Sequence, residues 1–561
     1  MRLSTIIHRL FGGHRIVIVL TLCLCGLCVV ESMPPVGKKR PRRPKVTDKR
    51  IYLVHADELR YDQYQNRDAQ VLKGHVHFDH MGARLYCDSA NFFEASNSFE
   101  AFGHVKMYQG DTLSLFSDYA FYDGNEQLAR ARYNVVLKHR KTTLYTDSLD
   151  YDRMYNLGYF FEGGKLIDNG SVLTSDWGEY HTDTKIALFA YDVELQDKDF
   201  FLTTDSLYYN TQTSVAHIVG PSDIISGKSH IYSEDGYYNT KTDHSELFGR
   251  SVIRDESRTL VGDSVYYNSG DGTSYAYRNV VFNDSVNNNM LTGDYFEYNQ
   301  STGYAMATKR AVAIDYSQKD SLYMHADTFK IFTYNINTDS VYRVMHAYNK
   351  VRAYKVDVQA VCDSLVYDQK DSCMTMYRDP IVWNGNQQLL GEEIRAYMKD
   401  SVLDHAHVIG QALSIEQMFD SVHFNQLTSK EMMAYFVNGS IREAHAKDNA
   451  IAIYHMIDDA DSTFIAQDYT ESPLMKMFFA DKKMERIWAE QPTGTIYPMS
   501  QIPSDKKYLT NYAWFDYIRP LDKNDIFIWR GKKGEQVLKP EKRRNAPVQT
   551  LKKPNTVQPD E

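Results

Sequence analysis

The fold is decided by the stretch Thr143–Tyr151, which reads Thr-Leu-Tyr-Thr-Asp-Ser-Leu-Asp-Tyr. Its core, Asp-x-apolar-x-aromatic, recurs along most of the chain. Clear copies begin at Asp57, Asp88, Asp118, Asp147, Asp205, Asp263, Asp294 and Asp363, and weaker copies begin at Asp176, Asp235 and Asp327. Successive copies lie about 30 residues apart, and a fixed period of this size is typical of stacked repeat architectures.

Each repeat has two halves, and both read as β-strands. In the first half, Asp205, Leu207 and Tyr209 are two positions apart, so all three are predicted to share one face of a strand. The second half carries small or aromatic residues, then Gly or Asn, then β-branched residues, as in 100–105. Turn residues such as Asp123-Gly124-Asn125 separate the halves. The sequence therefore predicts an all-β fold of stacked antiparallel strands.

The ends of the chain differ in composition from the repeats. An apolar run from Ile16 to Val30 follows several basic residues and predicts an export signal, either cleaved or retained as an anchor. The predicted organisation is a signal peptide or N-terminal anchor (1–33), a basic Pro-containing linker (34–50), the repeat array (51–425), degenerate repeats with a C-terminal cap (426–531), and a disordered tail (532–561).

Several functional classes find no support in the residues. The net charge of −10 is spread along the chain, so no nucleic-acid partner is expected. No nucleophile elbow, phosphate loop or His-Glu-x-x-His motif occurs, so we expect neither an enzyme nor a cofactor. A regular ladder of Asp singles out no catalytic pair, and the three cysteines beyond the apolar run (Cys87, Cys362 and Cys373) make no disulfide framework.

Two histidine groups have the spacing that could begin a zinc site. His75 and His77, with His80 nearby, and likewise His405 and His407, have the spacing of residues on one strand face. No further ligand stands at a metal-binding spacing, so these residues are interpreted as surface or packing histidines and no metal is predicted.

The alternating strands resemble those of the OstA-like family. The residues that carry the resemblance are 113–122 followed by 128–136, and 202–209 followed by 215–219, and it extends over roughly 51–488. In that family the same module forms the periplasmic bridge protein LptA and the N-terminal domain of the outer-membrane protein LptD. The chain is longer than a single bridge module and lacks the C-terminal run of amphipathic strands expected of a membrane barrel.

The resemblance implies two antiparallel sheets folded over one another and open along one side, a β-jellyroll or β-taco solenoid. It further implies a non-catalytic periplasmic protein that carries lipopolysaccharide by its acyl chains, and that meets other OstA-like bridge components by end-to-end strand addition. The predicted groove lining is Leu59, Tyr61, Phe92, Tyr122, Leu149, Tyr151, Leu207, Tyr209, Val265, Tyr267, Phe296, Tyr298, Leu365 and Tyr367. The alternatives left open are a structural or adhesive β-solenoid with a closed core, whose surface binds protein or glycan, and, less favoured, a carbohydrate-active solenoid enzyme.

Overall fold

The structure is a computed structural model that describes residues 49–62, 68–198, 200–255, 257–268, 270–400, 402–437, 439–458, 460–480 and 483–530. The predicted signal or anchor, residues 34–48 of the predicted linker, and the predicted tail lie outside these residues. Among the described residues, no helix has the length and apolar character that a membrane span requires.

The described residues form one antiparallel sheet of 38 strands, as the all-β prediction requires. The first part comprises β1 (Tyr52–His55), β2 (Glu58–Tyr61), β3 (Gln70–His80), β4 (Ala83–Phe93), β5 (Ser98–Gln109), β6 (Leu113–Asp123), β7 (Leu128–His139), β8 (Thr142–Asp152), β9 (Leu157–Phe160), β10 (Gly164–Asp168), β11 (Ser171–Ser175), β12 (Trp177–His181), β13 (Ile186–Asp197), β14 (Phe200–Asn210), β15 (Val215–Ser226) and β16 (Ser229–Asn239).

The middle part comprises β17 (His244–Asp255), β18 (Arg258–Asn268), β19 (Thr273–Asp284), β20 (Asn289–Asn299), β21 (Tyr304–Thr308), β22 (Val312–Asp315), β23 (Leu322–His325), β24 (Thr328–Tyr334), β25 (Tyr342–Tyr348), β26 (Val351–Tyr354), β27 (Val358–Cys362), β28 (Ser364–Asp368), β29 (Cys373–Tyr377), β30 (Ile381–Asn384), β31 (Gln387–Leu390) and β32 (Glu393–Lys399).

The last part comprises β33 (Val402–Gln417), β34 (Phe424–Val437), β35 (Ser440–Ile457), β36 (Phe464–Ala480), β37 (Lys483–Ala489) and β38 (Thr493–Pro498), followed by 3₁₀ helices at Met499–Gln501, Asp516–Ile518 and Asp525–Phe527. Each repeat supplies two strands of the ladder, so it extends the sheet by ~10 Å along the hydrogen-bonding direction.

Each long strand bends near its middle, at the Asp of the repeat. In β6, Leu113 and Leu115 are buried before Asp118, and Ala120 and Tyr122 are buried after it. The inward positions therefore switch parity at Asp118, which is itself exposed. The prediction that the Asp shares a face with the apolar and aromatic residues is wrong, because the strand bends there and leaves the carboxylate outside.

The neighbouring strand accommodates each bend with two residues of positive φ. Gly103 and His104 of β5 (φ 73° and 42°) lie opposite Asp88, where the pairing of β4 with β5 shifts register. His104 Nδ1 is 2.7 Å from Asp88 Oδ2. In β18 and β19, Asn279 Nδ2 likewise donates to Asp263 Oδ2 at 2.9 Å. The repeated Asp therefore fixes a bend inside a strand and does not begin one.

The residue that precedes the bend is small and buried. Ser429 and Ser472 donate from Oγ to the carbonyl oxygen two residues further on, at 2.7 Å and 2.9 Å. These bonds place Lys430 at the bend of β34. By the same register Glu234, and not Asp235, stands at the bend of β16.

The bend folds the sheet into two faces that pack on each other. Face A contains the segments that lead up to each bend Asp, such as 113–117, and face B contains those that follow it, such as 119–123. The ring of Phe78 in face A stacks on Phe99 of face B, with 4.3 Å between ring centroids. One continuous apolar core unites the two faces from Ile51 to Met475. The folded two-layer arrangement matches the predicted solenoid.

A third layer covers the outside of face A in the later repeats. We name residues 506–530 the C-terminal strap. Its apolar side chains pack on outward-facing residues of face A in two clusters. In one, Leu509 of the strap packs with Leu413, Ile415, Phe424 and Ile453. In the other, Phe515 and Ile518 of the strap pack with Val361, Ile381 and Trp383. The segment that the sequence analysis assigned to a cap thus lies along face A.

Buried glutamines bind the backbone of the strap. Gln467 Nε2 donates to Lys506 O at 2.9 Å, and Gln426 Oε1 accepts from Leu509 N at 2.9 Å. Gln388 Nε2 donates to Ala513 O, and its Oε1 accepts from Phe515 N, both at 2.7 Å. From Lys506 to Phe515 the strap meets Gln467 first, then Gln426, then Gln388. The strap therefore runs along face A in the direction opposite to the order of the repeats.

Candidate functional site

The candidate site is the apolar interior between the two faces. Most of the predicted lining residues do face this interior. Those that are almost fully buried are Phe92, Tyr122, Leu149, Tyr151, Leu207, Tyr209, Val265, Phe296 and Leu365, while Tyr267, Tyr298 and Tyr367 are half-buried. The faces bring these side chains together because they occupy the second and fourth positions after each bend.

Leu59 and Tyr61 stand apart from the other predicted lining residues. They are 56% and 59% exposed, although Leu59 lies opposite the fully buried Leu72 in the pairing of β2 with β3. Among the described residues β2 pairs with β3 alone. The two side chains therefore lie at the first strand of face B, where no further strand covers them.

Opposite the bends, the strand ends of face A meet those of face B along a line that we name the seam. In the first repeats polar side chains bridge the seam. His80 Nδ1 of face A is 2.7 Å from Tyr122 Oη of face B, and Arg153 Nη1 donates to the same oxygen at 2.6 Å. The Arg153 guanidinium also donates to Met81 O at 3.2 Å. Burial raises the pKa of Tyr122, so its hydroxyl remains a neutral partner.

The same bridge recurs in the following repeats with different residues. His139 Nδ1 lies 2.9 Å from Tyr180 Oη, and Tyr209 Oη donates to Asp168 Oδ2 at 3.2 Å. Lys185 Nζ donates to His139 Nε2 at 3.2 Å. Burial, together with the nearby charges of Lys185 and Arg140, lowers the pKa of His139 to about 4. The aromatic residue of the repeat thus has its ring in the core and its hydroxyl in the seam.

The seam residues were not found from the sequence. Arg153, His139 and Asp168 are all buried, and Asp168 is only 1% exposed. A usable signal existed, since polar residues occupy inward positions immediately before the short turns 81–82, 140–141 and 169–170. A buried polar side chain requires a hydrogen-bond partner, and the tyrosine hydroxyls of the facing strands were the available partners.

From about residue 250 the seam is less completely bridged. Arg258 Nη1 donates to Tyr298 Oη at 3.2 Å. The hydroxyls of Tyr267 and Tyr367, however, have no hydrogen-bond partner among the described residues. Inward side chains of both faces become partly exposed here, namely those of Ile253, Phe282, Tyr298, Ala313, Leu322, Ile331, Met345, Ala360, Tyr367, Met374, Val382 and Leu389. We name this stretch, residues 253–389, the open region, and residues 72–238 the closed region.

The histidines weighed for zinc lie in separate surroundings. His75 Nδ1 contacts Asp57 at a bend, His77 stacks on Tyr86, and His80 lies in the seam. His405 stacks on Tyr397, whereas His407 Nε2 lies 3.5 Å from Glu431 Oε2. Within the described residues no group of three or more His, Cys, Asp or Glu side chains is arranged to hold a metal ion.

Cys87, Cys362 and Cys373 are buried free thiols. Burial raises the pKa of Cys87 to about 12, so its thiol remains protonated. A protonated thiol is neither a nucleophile nor a metal ligand at neutral pH. Cys87 and Cys362 therefore belong to the packing of the bends, where they precede Asp88 and Asp363.

Comparison with known proteins gives one finding for the chain. Residues 48–205 match the family model of OstA-like proteins. No curated protein matches the chain. The matched residues include the first bends and the bridged seam from His80 to Tyr180, and the family is one of transport and binding proteins. The segment 48–205 is therefore the part of the chain that is similar to OstA-like proteins.

Proposed function

We propose that the apolar interior binds the acyl chains of a lipid, with lipopolysaccharide as the ligand that the OstA-like family implies. The observation that carries the proposal is the open region, where side chains of a continuous core become partly exposed on both faces. A core built only for stability has no reason to leave apolar side chains of this size partly in water, because each Å² removed from water contributes about 25 cal/mol.

The two regions suit different parts of this task. In the closed region Tyr151 and Tyr209 are fully buried, so the faces already fill the space between them. In the open region Tyr298 and Tyr367 retain exposed surface that acyl chains could cover. Binding would use dispersion and burial of apolar area, with no catalytic step.

The location that goes with this proposal is the periplasm of a Gram-negative cell, with the protein free or tethered through residues 1–33. A chain that takes lipid from one membrane and passes it to another needs an apolar path with weak, distributed contacts. The interior would supply such a path, and other OstA-like bridge components would be its partners by strand addition at the ends of the sheet.

The test is binding of fluorescently labelled lipopolysaccharide to the purified full chain, followed by polarisation. Tyr367→Glu places a carboxylate on the half-buried inner side of β28, whereas Val366→Glu places the same group on the outer side of the same strand. A buried unpaired charge is costly, so we expect Tyr367→Glu to weaken binding by at least about 10-fold and Val366→Glu to leave it unchanged.

Equal loss in both variants would show that charge anywhere on the strand disrupts the protein, which circular dichroism would reveal. Unchanged binding by Tyr367→Glu, or no binding by the unmodified chain, would contradict the proposal. The structural β-solenoid with a closed core would then be the better interpretation.

A further inference from the structure

A recess on the outer surface of face B lies outside the interior and outside the seam. It has a volume of about 640 Å³ and is lined by Ser264, Tyr266, Tyr277, Arg278, Asn279, Asp294 and Lys309. Volumes of this size are typical of small-ligand sites. The recess spans two successive bends, the one at Arg278-Asn279 and the one at Lys309-Arg310, with Asp294 between them.

Two cations of the recess have no protein partner that holds them. The side chains of Arg278 and Lys309 are exposed and make no hydrogen bond or ion pair among the described residues. The arginine at the corresponding position of another bend behaves differently, since Arg378 Nη1 lies 2.9 Å from Asp363 Oδ2. Arg278 lacks such a partner because Asp263 is already bound by Arg250 Nη1 at 3.2 Å and by Asn279 Nδ2 at 2.9 Å.

The carboxylates around the recess do not cancel this positive charge. The hydrogen bonds from Asn279 and Arg250, together with the nearby charges of Arg250 and Arg278, lower the pKa of Asp263. Asp294 accepts one hydrogen bond among the described residues, from Asn279 N at 3.3 Å, and its own N donates to Lys309 O at 2.8 Å. Asp294 therefore keeps acceptor capacity for a hydroxyl group, while Arg278 and Lys309 remain available to an anion.

The wall of the recess is aromatic. The Tyr266 and Tyr277 rings lie 5.6 Å apart and nearly perpendicular, and the ring of Tyr295 follows 5.3 Å beyond Tyr277. Burial and the neighbouring Glu297 raise the pKa of Tyr295 to about 12, so its hydroxyl stays protonated. Tyr277 is 39% exposed, so part of this aromatic surface remains open to a ligand.

The backbone supports a role beyond packing. Arg278 and Lys309 adopt φ of 58° and 60°; at other bends the first of the two left-handed positions is occupied by glycine (Gly74, Gly103, Gly249) or by a larger residue (Tyr133, Tyr191, Arg378). A long side chain is disfavoured at such an angle. Two unpaired cations held there at adjacent bends are therefore a feature of this recess that bending the strand does not require.

We propose that this recess binds an acidic saccharide, through aromatic contact with its ring and pairing of its anionic group with Arg278 and Lys309. A sugar ring has apolar C–H faces that pack on Tyr277, hydroxyl groups that suit Asp294 and Asn279, and, in uronic acids, a carboxylate that suits the two cations. The site is independent of lipid binding in the interior, since its residues point away from the core.

The experiment is isothermal titration of the full chain with trigalacturonate, compared with maltotriose as a neutral ring and citrate as an anion without a ring. We expect trigalacturonate to bind at least about 10-fold more tightly than either control, because only it satisfies the aromatic wall and the cations together. The double variant Arg278→Ala/Lys309→Ala, and separately Tyr277→Ala, should each weaken binding by at least about 10-fold.

The matched control is Lys73→Ala/Lys106→Ala, which removes two exposed cations from other strands of the sheet and should leave affinity unchanged. Displacement of trigalacturonate by deacylated lipopolysaccharide would identify the sugar part of a glycolipid as the source of the ligand, and lack of displacement would identify a free acidic glycan. Absence of trigalacturonate binding, or equal binding by Arg278→Ala/Lys309→Ala, would overturn the proposal whatever the interior binds.

Discussion

The closed region and the open region contain the same repeat and the same bend, yet they treat the side opposite the bend differently. In the closed region three tyrosines bond across the seam: Tyr122 to His80 and Arg153, Tyr180 to His139, and Tyr209 to Asp168. In the open region Tyr267 and Tyr367 occupy the same place in the repeat and have no such partner among the described residues.

The difference shows that the repeat determines the fold while a few polar residues determine whether the interior is accessible. The partners across the seam come from the opposite face and from another repeat, so the repeat pattern itself can stay constant while the seam changes. The strap contacts face A from β36 back to β23, so it covers the outside of the later part of the open region and of the repeats that follow it.

Truncating the tyrosine should have the largest effect, and the two regions should respond differently. Tyr151 is fully buried and Tyr367 is half-buried. We expect Tyr151→Ala to cost about 3–5 kcal/mol of local stability and Tyr367→Ala roughly half as much, since less packing is lost. Hydrogen–deuterium exchange of the flanking strands measures both, because repeat arrays open locally. Equal losses of stability in the two variants would contradict the inference that the two regions differ in packing.

Removing the seam arginine should have the next largest effect. Arg153→Met leaves Met81 O and Tyr122 Oη without their charged donor, so we expect a loss of about 2–3 kcal/mol in the closed region. Arg258→Met in the open region removes one hydrogen bond and a long ion pair, from Nε to Asp284 Oδ2 at 3.8 Å, of a more exposed side chain and should cost about 1 kcal/mol. Hydrogen–deuterium exchange in increasing urea measures the two losses of stability separately. A larger loss in Arg258→Met than in Arg153→Met would contradict the difference between the two regions.

The strap offers a smaller test at the end of the open region. Gln388 is fully buried and binds the strap backbone through both ends of its amide. Gln388→Ala should release the strap with a cost of about 1–2 kcal/mol, seen as faster limited proteolysis between residues 506 and 530. The exposed Gln212→Ala is the control and should leave cleavage unchanged. Release of the strap without any change in exchange of β23 to β31 would show that it does not brace face A.

The smallest expected effect is a pH dependence of the closed seam. The pKa of His139 is lowered to about 4 in the folded chain, so between pH 6.5 and 4 the unfolded chain binds the extra proton. His139 therefore contributes stability that is fully present above pH 6.5 and is lost as pH falls toward 4. We expect the melting temperature to drop by about 2–4 °C more over this range in the unmodified chain than in His139→Gln. An identical pH dependence of the melting temperature in the two proteins would contradict the inference that His139 is neutral in the folded chain.

The repeat and the strands were predictable because they depend on local pattern. Period-2 alternation of apolar residues and a constant spacing of the Asp are properties that one strand shows by itself. The bend was not predicted, because a parity switch at Asp118 depends on the packing of two faces and not on the residues of one strand. A small residue before each Asp, such as Cys87 or Ser117, was the available local sign.

The candidate site was predictable only in part, for a related reason. The inward positions of Leu207 and Tyr209 follow from alternation once the strand is known. Whether the interior is closed depends on contacts such as His80 with Tyr122, and the strap depends on contacts such as Gln388 with Phe515. These pairs are distant in sequence, and no periodic pattern relates their members.

The most direct test of the central claim is a photo-crosslinking profile along the interior. Benzoylphenylalanine would replace Tyr151, Tyr209, Tyr298 and Tyr367 in turn, with the outward-facing Tyr208 and Val366 as controls, in cells that make lipopolysaccharide. The account predicts lipid adducts at Tyr298 and Tyr367, few at Tyr151 and Tyr209, and none at the controls. Adducts confined to the outward positions, or none at any position, would contradict an interior that binds lipid in its open region.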